Sequence, residues 1–199
     1  MSFSVDGKTV IVTGAANGIG AALARHFAEN DANVMCADID EKALKKDLGE
    51  SGDDSNVRYF AGDLREKLTL ANLLSATVDA FDRVDVLVNA SRQVATTDPL
   101  DMDDETVEKL LQQNLMTSLR LSQMVAKRMI KQDEEQDHEF AGTIINLSSI
   151  AARLTQPDLL AYSVSTAALE QMTRSMAVAL AKYRIRVNAV SFGSVMSAS

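Results

Sequence analysis

The feature that most constrains this chain is the glycine-rich stretch Thr13-Gly14-Ala15-Ala16-Asn17-Gly18-Ile19-Gly20. It follows the apolar run Thr9-Val10-Ile11-Val12 and opens a segment with Ile19, Ala22, Leu23 and Phe27 at helical spacing. A strand that feeds a glycine turn and then a helix is suited to holding phosphate. Glycine lets the backbone turn tightly and approach a pyrophosphate, while the helix N-terminus offers unpaired N–H groups and a partial positive charge. The spacing, G-x-x-x-G-x-G, differs from the G-x-G-x-x-G of most dinucleotide folds. Gly14, Asn17, Gly18, Ile19 and Gly20 are therefore the residues expected to cradle a dinucleotide.

The rest of the chain repeats the strand–helix unit. Apolar runs at 33–38, 57–61, 84–88, 143–147 and 185–190 read as five further strands. Helices are expected over 18–29, 41–48 and 70–81, then over 111–130, striped by Leu111, Leu115, Leu119, Ser122, Ala126 and Met129. The last, over 162–182, carries Leu169, Met172, Met176 and Leu180. A Gly/Ser/Asp turn is expected at 50–55, and the charged stretch 131–139 reads as a solvated loop. Alternation throughout, with no repeat or linker, predicts an α/β fold in a single domain over 1–199. The sheet should be doubly wound and parallel, of about six strands with helices on both faces.

The end of the second strand bears on cofactor choice. Asp38 lies where an acidic residue accepts hydrogen bonds from adenosine ribose hydroxyls, and its carboxylate repels a 2′-phosphate. No Arg or Lys occupies 15–17 or 39, so NAD is expected over NADP. Asp63, followed by Leu64 after the third strand, is placed to accept from the adenine amino group. A formal charge of −8 argues against nucleic acid as a partner, because phosphate neutralisation needs clustered cations. No apolar run reaches membrane-span length, and the N-terminus lacks the pattern of a signal peptide. The single cysteine, Cys36, reads as a small buried hydrophobe, and with His26 and His138 far apart no metal site is expected. The cytoplasm is the expected compartment.

With these motifs in order, the chain resembles the short-chain dehydrogenase/reductase family. Residues 13–20 match its T-G-x-x-x-G-I-G loop, and 143–149 (Thr-Ile-Ile-Asn-Leu-Ser-Ser) match the strand that carries its serine. Twelve residues separate Ser149 from Tyr162, as in the family, and Asn114 falls where the family has a helix asparagine. Val187-Asn188-Ala189-Val190 matches the sixth strand. The resemblance implies a Rossmann-type fold and hydride transfer between a nicotinamide and a small-molecule alcohol or carbonyl. Tyr162 would be the acid or base, Ser149 would orient the substrate oxygen, and Asn114 would hold a relay water. Asn89 would join the cofactor contacts. It also implies a homodimer or homotetramer through helices 111–130 and 162–182, where Ala126, Ala167, Ala168 and Ala177 permit close approach and Met129, Met172 and Met176 fill gaps.

Three motifs depart from the family. A free phenol ionises at a pH of about 10, and the family's Y-x-x-x-K lysine eases that ionisation. Here the motif reads Tyr162-Ser163-Val164-Ser165-Thr166, so a hydroxyl replaces the charge on the same helix face. N-N-A-G becomes Asn89-Ala90-Ser91-Arg92, which puts a long cation where the family has glycine; Arg92 is expected to point to solvent or obstruct the cofactor, the alternative being that it stands in for the lysine's ribose contact or its field on Tyr162. P-G becomes Phe192-Gly193, and the chain ends at Ser199, where the resemblance implies a further substrate-covering segment. The expectation is an NAD-dependent oxidoreductase with impaired activity. The alternative is an inactive member that serves as an NAD-binding or dimerising module.

Overall fold

The computed structural model describes residues 4–48, 55–134, 140–154 and 156–195. His138 and all but one residue of the expected turn at 50–55 lie outside them. Among the described residues the strands are β1 (Thr9–Thr13), β2 (Asn33–Asp38), β3 (Val57–Ala61), β4 (Val86–Asn89), β5 (Gly142–Ser149) and β6 (Ile185–Phe192). All pair in parallel, in the order β3-β2-β1-β4-β5-β6. The helices are α1 (Gly18–Glu29), α2 (Glu41–Leu48), α3 (Lys67–Phe81), α4 (Thr106–Leu110), α5 (Thr117–Asp133) and α6 (Leu160–Leu180).

Successive residues of β1 face opposite sides of the sheet, because strand side chains alternate. Val10 and Val12 meet Val34, Cys36 and Val88 under Ala24 of α1 and Leu44 of α2. Ile11, between them, meets Met35, Leu87 and Ile144 under Leu70 and Leu73 of α3 and Leu121, Val125 and Met129 of α5. Each such fully buried aliphatic side chain contributes about 1.5–3 kcal/mol. A strand covered on both faces reads as a continuous apolar run, and all of β1 is buried. β6 differs: only Ile185 and Val187 are buried along it, and Val190 is exposed.

Several boundaries differ from the pattern in the sequence. α5 does not end at 130 but continues to Asp133, so the charged stretch begins as helix rather than loop. Two contacts hold that extension: Gln132 exchanges hydrogen bonds with the Val84 backbone, and Arg184 pairs with Asp133 at 2.7 Å. The helix expected from 111 starts at Thr106 and passes through one wide π-type turn, Leu111–Met116, before α5. β5 and β6 run two residues beyond expectation because they pair with each other as far as Ser149 and Phe192.

The strand order sets the site. From β3 at one edge the chain returns to place β4 on the far side of β1, so the connections after β1 and β4 leave the sheet in opposite directions. A crevice opens at the C-terminal ends of β1 and β4, which is where doubly wound sheets bind ligands. Among the described residues no helix is long and apolar enough to cross a membrane. None of their His, Cys, Asp and Glu side chains form a group that could hold a metal.

Candidate active site

A cleft of about 560 Å³ occupies that crevice. Its walls include Gly14, Asn17, Gly18, Ile19 and Gly20 from the glycine loop, Asp38 from β2, and Asp63 and Leu64 after β3. Gly14 has φ +66°, and a Cβ there would lie 2.8 Å from Cα and N of Ser91. Glycine is thus required twice over, by conformation and by the close approach of the segment after β4. Thr13 Oγ1 ties the same two segments together, accepting from the amides of Ala90 and Ser91 at 3.1 Å each. At the head of α1, Asn17 makes no side-chain capping bond, so the leading N–H groups of that helix lack a side-chain cap. A backbone cradle without side chains beneath a helix N-terminus fits a pyrophosphate.

The acidic residues are held in place by the backbone. Asp38 accepts from Ala16 N and Asp40 N, both at 3.1 Å, which fixes its carboxylate at the cleft wall beside the glycine loop. Asp63 is forked by Arg65, with Nη2–Oδ2 at 2.6 Å, and these hydrogen bonds hold its carboxyl below the ordinary value. Arg65 also lines the cleft. It stands two residues beyond Asp63, outside the positions where the sequence pattern looks for a cation. Asn89 is not brought to the cleft. Its amide donates to Ser122 Oγ at 3.0 Å and Asn146 Oδ1 at 2.8 Å, and Asn146 donates on to Thr173 Oγ1 at 2.9 Å. This buried chain of hydrogen bonds joins the sheet to α5 and α6, so the Asn89 side chain is engaged beneath the cleft rather than lining it.

Beyond the glycine loop the strand ends carry the residues expected to do chemistry. Ser149 closes β5, and its Oγ accepts from Ala151 N at 3.2 Å, which leaves the hydroxyl proton free to donate. Tyr162, in the first turn of α6, is buried with its ring among Leu110, Ala151 and Ala161. Thr166, one turn along, donates to the Tyr162 carbonyl at 2.8 Å. Its hydroxyl therefore bonds the backbone of its own helix. Asn114 sits in the π turn, and its amide is already engaged: Oδ1 accepts from Gln93 N at 2.8 Å while Nδ2 donates to Gln93 O at 2.9 Å and Ser165 Oγ at 3.1 Å. Such turns concentrate at functional sites. Here Thr117 and Ser118 bond the loosened carbonyls of Gln112 and Asn114.

Arg92 does not simply point to solvent. Its Nη1 donates to Tyr162 Oη at 3.2 Å and to the Ser148 carbonyl at 3.4 Å, so the guanidinium rests on the phenol at the cleft's end. A second charged group at this end is missing from the sequence pattern. Glu170 of α6 is buried, and its Oε1 accepts from Ser191 Oγ at 2.7 Å and Ser148 Oγ at 3.4 Å. Its Oε2 pairs with Arg153 and Arg174, each at 3.1 Å. These partners, the Ser191 hydroxyl foremost, hold the carboxyl below its ordinary 4.5. A glutamate lodged between Leu169 and Met172 of the buried stripe is the signal that marks it.

Comparison with known proteins places the chain in a family. The family model for short chain dehydrogenases matches residues 8–199. An uncharacterized oxidoreductase of Thermotoga maritima is 35% identical over 95% of this chain and 72% of its own length. An NAD-dependent glycerol dehydrogenase of Listeria innocua is 30% identical, over 95% of this chain and 71% of its own. Among solved structures, a short-chain dehydrogenase/reductase of Caenorhabditis elegans with cofactor aligns at a TM-score of 0.86 and 32% identity, covering 98% of this chain and 72% of that one. The chain belongs to the short-chain dehydrogenase family of oxidoreductases.

Proposed function

We propose that this chain is an NAD(H)-preferring oxidoreductase that interconverts an alcohol and its carbonyl compound with low turnover. The observation that carries the cofactor preference is Asp38, pinned at the cleft wall by the amides of Ala16 and Asp40. Its carboxylate accepts from ribose hydroxyls and repels a phosphate at the same place. Gly14, Gly18 and Gly20, with the head of α1, hold the pyrophosphate, and Asp63 and Leu64 border the adenine end. A nicotinamide, when bound, gives or takes the hydride. The protein's own share is the proton: Tyr162 Oη exchanges it with the substrate oxygen, which Ser149 Oγ steadies by donating a hydrogen bond. Asn114 acts on position, since its amide clamps the Gln93 backbone to the π turn. Turnover is low because Thr166, its hydroxyl turned to its own helix, cannot pass on a proton as a lysine can.

A homodimer or homotetramer through α5 and α6 belongs to the same reading. Val164, Ala167 and Val178 form the outward stripe of α6 available to a partner, whereas Ala126 and Met129 are buried in the core. A reducing, cytoplasmic setting suits the free, buried Cys36. The test is calorimetric titration with NAD, followed by turnover with a polyol panel that includes glycerol, using wild type and Thr166→Lys. NAD should bind both proteins, and Thr166→Lys should turn over faster. Absence of NAD binding contradicts the proposal. Binding with no turnover in either protein assigns the chain to nucleotide binding alone.

A further inference from the structure

We propose that Arg92 supplies the positive charge of the Tyr162 site, from the segment after β4 rather than from the helix that carries the tyrosine. The inference rests on the proton role given to Tyr162 above. Its geometric basis is the pair of contacts from Arg92 Nη1, 3.2 Å to Tyr162 Oη and 3.4 Å to the Ser148 carbonyl. The second contact anchors the guanidinium to the end of β5, so the cation is held from two sides.

The surroundings of the phenol leave that charge unopposed. Around the ring stand Leu110 from α4, Ala151 after β5 and Ala161 of α6, with Ala95, Val107 and Leu159 beside them, all apolar. The carboxylate that reaches this end, Glu170, bonds Ser148 Oγ and is itself paired with Arg153 and Arg174. Within α6, Thr166 brings no charge, and its hydroxyl is spent on the carbonyls of Tyr162 and Ser163. Arg92 is thus the cation hydrogen-bonded to Tyr162 among the described residues.

The hydrogen-bond inventory is consistent with turnover. A phenolic oxygen accepts from Arg92 and still donates its own proton to a substrate oxygen. When that proton leaves, the negative oxygen keeps a charge-assisted bond to the guanidinium. Water from the cleft returns the proton to Tyr162 Oη. Arg92 cannot return it, because a guanidinium stays protonated and holds charge without relaying. A lysine both holds charge and can give up a proton, so the substitution preserves the field and removes one relay step. That division accounts for a site that keeps its tyrosine and serine after losing its lysine.

The test needs no cofactor and no substrate. The alkaline rise of phenolate absorbance is recorded for wild type, Arg92→Gln and Arg92→Lys, and the part due to Tyr162 is isolated by subtracting the same curve for Tyr162→Phe. Circular dichroism at each pH confirms that every protein remains folded, which is expected because Arg92 is exposed and outside the core. The Tyr162 rise should move to higher pH in Arg92→Gln relative to wild type, and Arg92→Lys should restore most of the difference. An unchanged or lower midpoint in Arg92→Gln overturns the proposal. NAD titration of the same proteins separates this outcome from the functional reading: failure to bind NAD sinks the latter and leaves the absorbance result decisive for Arg92.

Discussion

The two halves of the cleft are built from the same kind of unit, a strand end feeding a helix, yet they have diverged to different degrees. The half formed by β1, β2 and the turn after β3 keeps the backbone cradle at Gly14 and Gly18, the uncapped head of α1 and a pinned carboxylate at Asp38. The half formed by β4, β5 and α6 keeps Ser149 and Tyr162 but holds Thr166 where a lysine is expected and Arg92 where a glycine is expected. Phosphate recognition rests on backbone N–H groups and on the absence of side chains, so most substitutions there are excluded by sterics. Proton chemistry rests on one charge near one oxygen, and a charge can be delivered from more than one direction. Binding and catalysis therefore tolerate change to different extents within a single pocket.

The largest effect that sharpens this contrast is expected in the nucleotide half. Gly14→Val places a β-branched side chain at φ +66° and within 2.8 Å of the Ser91 backbone. Strain and overpacking together should cost about 2–4 kcal/mol in urea unfolding. The displaced loop should also weaken NAD by about a hundredfold or more in calorimetry. Retention of wild-type affinity would contradict the cradle assigned to Gly14.

A smaller effect is expected in the other half. Glu170→Gln should lower stability by about 1–3 kcal/mol at neutral pH, because it weakens bonds from Ser148, Ser191 and two arginines that can return to water. The sign of the pH dependence follows from the depressed carboxyl. Its contribution is fully present above the ordinary 4.5 and is lost as pH falls through the lower folded-state value. Melting curves of wild type and Glu170→Gln should therefore converge in acid, and a gap that widens on acidification would refute this assignment. The smallest effect concerns Cys36, which is fully buried and whose thiol is pushed up to about 12 by burial. A maleimide should leave it unlabelled in the native protein at neutral pH and label it only as β2 opens. Rapid native labelling would show that the nucleotide half opens more readily than this packing allows.

The nucleotide half was legible in the sequence because its signals are local. Gly14 to Gly20 is one contiguous turn, and Asp38 closes an apolar run, so periodicity and residue type locate both. The other half depends on contacts that sequence spacing does not carry. Arg92 and Tyr162 lie 70 residues apart, and their meeting depends on how β4 and α6 converge over β5. Asn114 stands out by its position in the chain, but its engagement with Gln93 arises from a π turn that has no residue signature. Asn89 was placed at the cofactor by its motif, whereas its amide satisfies Ser122 and Asn146 below the strand end. Gln132 and Asp133 read as loop because they are polar, yet their partners just before β4 and β6, Val84 and Arg184, keep them helical.

The most direct test of an intact nucleotide half is a paired titration of NAD and NADP into wild type and Asp38→Ala. Wild type should bind NAD the more tightly, and Asp38→Ala should narrow that preference by about tenfold as repulsion of the 2′-phosphate is lost. Tighter binding of NADP by wild type, or no change in preference on removing Asp38, would contradict it.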